Sequence, residues 1–118
     1  MPKRVLIVDD HQNFRELARR LLEAVGLDVV GEASSGVQAL VEERRLRPDI
    51  VLLDIQLPDL DGFTVASTLS SLPAAPTVVL VSTREASDYG PRVGGCGALG
   101  FISKAELTAA SLAAMLSG

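Results

Sequence analysis

Three short runs of branched apolar residues punctuate the chain: Val5–Val8 (VLIV), Ile50–Leu53 (IVLL) and Val78–Val81 (VVLV). A continuous apolar run has no polar face, so each reads as a strand covered on both sides, as central parallel strands are. Between the first two, Phe14, Leu17, Ala18, Leu21, Leu22 and Val25 recur at spacings of three and four. That spacing puts them on one face of a helix, which Gly26 stops. Val29–Ala33 reads as a further strand. Ser35 then stands as the N-cap of a helix turning Val37, Leu40 and Val41 inward, and Pro48 ends that unit.

The loop Ile55–Gly62 leads into a helix from about Phe63 to Leu72, closed by Pro73 and Pro76. Leu99–Ser103 makes the last strand. Glu106–Leu116 makes the last helix, with Leu107, Ala110 and Ala114 on one face and Leu112, Met115 and Leu116 on the next. One unit is weak: the stretch REASDYGPRVGGCG between Thr83 and Ala98 holds four glycines and a proline. Glycine and proline cost roughly 1 and 3 kcal/mol at interior helix positions, so the fourth helix is expected to be short or mobile. Strict alternation of strand and helix implies right-handed crossovers and a doubly wound α/β fold, with function at the carboxyl ends of the strands.

At 118 residues and 47% apolar content the chain supports one core. A single domain spanning 1–118 is expected, free-standing and with no output domain. A formal net charge of −4 gives no basic excess for a phosphate backbone, so this domain alone is not expected to bind nucleic acid. The one cysteine, Cys96, has no partner in the chain, and the N-terminus does not have the make-up of a signal peptide. The longest apolar stretches fall far short of the roughly 20 residues a membrane span needs. The expected location is cytoplasmic, away from the membrane.

The residues that follow the central strands are all chemically capable: Asp9 and Asp10, Asp54, Ser82 and Lys104. Neighbouring ends of a parallel sheet bring these side chains together. Carboxylates about 4 Å apart repel by roughly 4 kcal/mol at an effective dielectric near 20, so the cluster needs a cation. An incomplete set of hard oxygen donors with room for water and phosphate suits Mg²⁺. A phosphoryl group there would meet the metal on one side and Lys104 with Ser82 on the other, which makes Asp54 the candidate nucleophile.

VLIVDDH, IVLLDIQLPDLDG, VVLVS and GFISK occur in that order, and with them the whole chain resembles the receiver domains of bacterial two-component response regulators. VDDH and LPDLDG look most like the subfamily named after NarL and FixJ, which often precedes a helix-turn-helix domain. The resemblance implies a flavodoxin-like, CheY-like (βα)5 sandwich with strand order 2-1-3-4-5. It implies that Asp54 accepts a phosphoryl group from a histidine kinase or phosphotransfer protein. Asp10, Asp54 and the backbone carbonyl of Gln56 would bind Mg²⁺ directly, with Asp9 acting through water. Ser82 and Lys104 would contact the phosphoryl oxygens, Ser82 moving toward them and Phe101 following as the aromatic switch. The output surface would be the fourth helix, fifth strand and fifth helix, with room for a phosphorylation-dependent dimer. Gln56 and Arg84 occupy the positions that tune the lifetime of the acyl phosphate.

Two departures from the family stand out. Ala105 follows Lys104 where proline is usual, so a cis Lys104–Ala105 peptide would cost roughly 3 kcal/mol. Thr83 is larger than the usual alanine or glycine and narrows access to the pocket. The simpler readings are that Asp9 and Asp10 cap a helix, Asp54 and Ser82 end strands, Lys104 is solvated and Phe101 is core. His11 reads as an exposed loop residue without a catalytic role, and Cys96 as a small packing residue. Asp59 and Asp61 read as shaping the turn before the third helix. Glu42, Glu43, Arg44, Arg45 and Arg47 read as a wet helix face. Two alternatives to the free-standing signalling domain remain: the receiver portion of a helix-turn-helix regulator, and an aspartyl-phosphate phosphohydrolase. Against the latter, Gln56 stands where such enzymes carry a second aspartate, and no cap insertion exists. The domain itself is expected to catalyse only its own phosphorylation and dephosphorylation.

Overall fold

The computed structural model describes residues 2–117. Among these, five strands alternate with five helices: β1 (Arg4–Val8), α1 (Gln12–Ala24), β2 (Asp28–Ala33), α2 (Gly36–Leu46), β3 (Ile50–Asp54), α3 (Gly62–Ser70), β4 (Thr77–Ser82), α4 (Arg92–Gly95), β5 (Gly100–Ser103) and α5 (Ala109–Ser117). All strand pairs are parallel and the sheet runs β2-β1-β3-β4-β5. The fold is therefore the flavodoxin-like sandwich that the alternation and the motifs imply.

The apolar runs split between two cores. Leu6, Val8, Val51, Leu53, Val78 and Leu80 face Ala39, Phe63, Val65, Ala66 and Leu69 of α2 and α3. Val5, Ile7, Ile50, Leu52, Val79 and Val81 face Ala18, Leu22 and Leu112 of α1 and α5. Successive side chains of a strand point to opposite faces, so a run without polar positions is what a sheet covered on both sides requires.

The helix ends follow from identifiable residues. Gly26 (φ 85) closes α1: its N–H donates to Glu23 O at 3.0 Å and Leu27 N–H to Leu22 O at 3.1 Å. That pairing satisfies the last carbonyls and needs the left-handed residue that glycine supplies. Ser35 Oγ accepts from Gln38 N at 3.1 Å at the start of α2, and Asp61 accepts from Phe63 N at 2.7 Å at the start of α3. Asp59, in the loop before α3, takes the N–H groups of Gly36 and Val37 at 2.7 and 2.9 Å, so it caps α2.

Several expectations are corrected by packing. Val37 and Val41 are both 56% exposed, and Leu17 of α1 is 41% exposed. The buried face of α2 is Gly36, Ala39 and Glu43. A Cβ at Gly36 would stand 2.7 Å from Leu60 Cβ, so only small residues let this helix approach the β3–α3 loop. Glu43, read from sequence as part of a wet face, is buried. The α3 helix stops at Ser70, before Leu72. Leu99 lies outside β5 and is 53% exposed. The last helix begins at Ala109 rather than Glu106, because Lys104–Glu106 forms a 3₁₀ turn. Thr108 and Ser111 then cap each other's backbone N–H groups at 2.9 and 3.0 Å. Ala110 and Ala114 are consequently exposed, while Leu112 is buried. The Lys104–Ala105 peptide is trans; without a proline ring the trans form is favoured by roughly 3 kcal/mol. The glycine-rich stretch is broken as expected, into a 3₁₀ turn at Ala86–Asp88 and the four-residue α4.

Candidate functional site

Sheet register places the candidate residues on one edge. Val8 pairs with Leu53, Asp54 with Val81, and Ser82 with Ser103. Asp9 and Lys104 therefore leave β1 and β5 at the level where Asp54 and Ser82 end β3 and β4. The order changes direction between β1 and β3, so Asp9 and Asp54 flank the crevice where this class of sheet binds ligands.

The carboxylates converge as expected. Ligand atoms of Asp9, Asp10, His11 and Asp54 all lie within 4.8 Å of one another. Asp9 is fully buried and Asp54 is 2% exposed. Lys104 reaches in from β5, its Nζ 2.6 Å from Asp9 Oδ2 and 3.5 Å from Asp54 Oδ2. The same ammonium sits 4.2 Å from the centre of the Phe14 ring, which holds it from below by cation–π attraction. Asp9 Oδ1 accepts the N–H of His11 at 2.8 Å. The His11 ring approaches Asp9 and Asp10 at 3.2 and 3.1 Å, with its side chain 70% exposed. Neither Asp9 nor Asp10 occupies the N-cap of α1; His11 does, without a side-chain bond.

Burial, and then the Asp9 charge, push Asp54 up to about 6, against the opposing pull of Lys104 and of the Gln56 N–H. That N–H donates to Asp54 Oδ1 at 3.2 Å. The loop behind it is drawn tight: a Cβ on Gly62 would stand 2.5 Å from Ile55 Cα and 2.7 Å from Asp54 O. Thr83 Oγ1 donates to Gln56 Oε1 at 3.3 Å, so these two side chains bridge the rim of the crevice. The Arg84 side chain is exposed, while its N–H donates to Ser82 Oγ at 3.1 Å.

Ser82 is fully buried, and its hydroxyl shares a 2.7 Å hydrogen bond with Tyr89. Sequence reasoning missed Tyr89; the available signal was a lone aromatic residue in an otherwise glycine-rich, polar stretch. Its ring packs edge-on to Phe63 at 5.3 Å and lies 6.2 Å from Phe101. Phe101 is half-buried and lines a groove of about 590 Å³ with Glu85, Ile102, Glu106 and Met115.

Residues 5–117 match the family described as response regulator receiver domain. The chain belongs to that family. The receiver is similar to a protein of Pseudomonas aeruginosa described as a transcriptional regulator, 41% identical over 103 residues, which are 87% of this chain and 50% of that protein. It is similar in structure to the receiver domain of NarL from Mycobacterium tuberculosis, with 34% identity, a TM-score of 0.85, and 99% and 98% of the two chains covered. CheY of Borrelia burgdorferi, solved with CheX, BeF3 and magnesium, superposes with a TM-score of 0.88 at 26% identity, covering 98% of this receiver and 87% of that chain. The chain spans about half the length of the first curated relatives it matches. It is thus a signalling domain of the two-component kind. No helix among the described residues is long and apolar enough to cross a membrane.

Proposed function

We propose that Asp54 is the phosphoacceptor of this receiver, taking a phosphoryl group from a histidine kinase or phosphotransfer protein. The observation that carries this reading is the buried Asp54 carboxylate beside Asp9, Asp10 and the Lys104 ammonium. Asp54 attacks phosphorus as the bond to the donor's histidine nitrogen breaks, and the carboxylate becomes an acyl phosphate. Lys104 and Ser82 are the side chains able to bind the phosphoryl oxygens, and Thr83 with Gln56 limits the approach of water.

The donor set fits Mg²⁺. Three carboxylates meet one ammonium, already closely paired to Asp9, which leaves negative charge that a hard cation would balance. Asp10, Asp54 and the Gln56 carbonyl would hold it, with Asp9 acting through water. When bound, the ion would neutralise charge on the phosphoryl oxygens. The superposition on a CheY solved with BeF3 and magnesium supports this assignment.

The proposed output surface is that of α4, β5 and α5, where the groove around Phe101 is lined by Glu85 and Ala86, β5 and α5, with a protein partner or a second copy as its occupant. The reading keeps the domain's catalysis to its own phosphorylation and dephosphorylation; what supports it is that the residue two positions after Asp54 is Gln56 rather than a second acid. No turnover of an aryl phosphate is expected. The length of the relatives favours a second reading beside the free-standing domain: in a longer protein of the transcriptional-regulator type, this receiver would control a DNA-binding segment. With a net charge of −4, the chain alone is expected to leave DNA unshifted in a gel.

Intact-mass measurement after acetyl phosphate and Mg²⁺ tests the central claim. One added phosphoryl group on the wild type, absent in Asp54→Ala, is the expected result; addition that survives in Asp54→Ala overturns it.

A further inference from the structure

Ser82 is the proposed phosphoryl-contacting hydroxyl, yet in this structure it is engaged elsewhere. Its oxygen accepts the Arg84 N–H at 3.1 Å and shares the 2.7 Å bond with the Tyr89 phenol. A serine hydroxyl has one hydrogen to give. A phosphoryl oxygen can only accept, so contact with it takes that one hydrogen; where Ser82 gives it to the Tyr89 oxygen, the two contacts exclude each other.

Tyr89 is itself placed to register that exchange. It closes the 3₁₀ turn Ala86–Asp88, its N–H donating to Ala86 O at 3.1 Å, and its ring lies between Phe63 of α3 and Phe101 of β5. Losing Ser82 leaves a half-buried phenol without its partner, which favours movement of the ring and the turn that carries it. The turn and the four-residue α4 have few backbone hydrogen bonds resisting such movement.

We propose that Tyr89 is a latch on the switch: its hydroxyl holds Ser82 in the unphosphorylated arrangement, and phosphorylation releases Tyr89 toward Phe101 and the output groove. This inference rests on the reading of Asp54 as phosphoacceptor. Tyr89 acts through Ser82 and is a positioning residue. It adds a third member to the Ser82 and Phe101 pair, placed between them.

Tyr89→Phe keeps the ring and removes the bond. Its apparent affinity for beryllofluoride in the presence of Mg²⁺, and its initial rate of phosphorylation by acetyl phosphate, are expected to rise about fivefold over wild type. The same substitution in a Ser82→Ala background is expected to change neither. Tyr89 is the only tyrosine and the chain has no tryptophan, so near-ultraviolet absorption reads its environment directly. Beryllofluoride is expected to shift the wild-type tyrosine band in the direction that Ser82→Ala does. Equal affinities of wild type and Tyr89→Phe, or an effect that persists in Ser82→Ala, overturn the latch and leave Asp54 in place. If Tyr89→Phe does not melt cooperatively, the wild-type spectrum decides, an unmoved band overturning the latch. Failure of both wild type and folded Tyr89→Phe to take up beryllofluoride or phosphoryl overturns the phosphoacceptor reading, and the latch with it.

Discussion

Lys104 Nζ lies 2.6 Å from Asp9 Oδ2, in an ion pair where the lysine side chain is 13% exposed and the aspartate fully buried. The ammonium is nearer to Asp9 than to Asp54, at 3.5 Å. Its first role is to offset a buried carboxylate.

Removing that cation leaves Asp9 and Asp54 facing each other without compensation. Lys104→Met is expected to lower stability by about 3–5 kcal/mol at pH 7.5. Urea unfolding in chelator checks it. The loss is expected to shrink at pH 5, where Asp54, at about 6 even with Lys104 present, is protonated.

In chelator, Asp54 gives the protein a distinctive pH dependence. Its value in the fold is raised from 3.8 to about 6, by burial first and the Asp9 charge second. The folded state therefore holds the proton more tightly, and this contribution to stability is full below about 4 and lost as pH rises through about 6. A rise of roughly two pH units corresponds to about 3 kcal/mol, so Asp54→Asn is expected to stabilise the protein by up to that amount at pH 7.5 in chelator and by little at pH 4. Added Mg²⁺ is expected to raise the melting temperature of wild type at pH 7.5 and to do so far less in Asp10→Asn.

Asp59 works in the opposite direction. The N–H groups of Val37 and Gly36 hold its carboxyl below the usual carboxylate range, so its stabilising bond is present at neutral pH and lost on acidification below the usual carboxylate value. Asp59→Ala is expected to lower the melting temperature at pH 7 and to approach wild type near pH 3, as thermal unfolding across that range would read.

Gly62 has no room for a side chain, and the atoms in the way belong to the backbone of Asp54 and Ile55. Gly62→Ala is expected to cost about 1–3 kcal/mol and to slow phosphorylation of Asp54 by displacing its peptide. Urea unfolding and intact mass read the two effects separately.

On α2, Val41→Lys is expected to alter stability by less than about 0.5 kcal/mol, because Val41 is 56% exposed. Ala39→Leu, at a fully buried position, is expected to cost about 1–3 kcal/mol by overpacking. Urea midpoints of the two variants check the assigned face directly.

The sheet was legible in the chain because VLIV, IVLL and VVLV lack polar positions, which only a doubly covered strand tolerates. Asp9 and Asp54 were legible for the same reason, each standing immediately beyond such a run, while Lys104 was legible from its place at the end of the last strand, GFIS. The inward face of α2 was not, since two patterns at three- and four-residue spacing share Leu40, and hydropathy does not register that Gly36 and Ala39 are small enough to approach Leu60 and the sheet. The Ser82–Tyr89 bond was equally hidden, because it spans the irregular stretch Thr83–Asp88, where no periodicity links residue to residue. Local patterning thus specified strands, most helices and the charged cluster, since those follow from repeat and from position at a strand end. Side-chain size at close contacts and hydrogen bonds across loops were set by the assembled fold, where residues distant in pattern compete for the same space and the same proton.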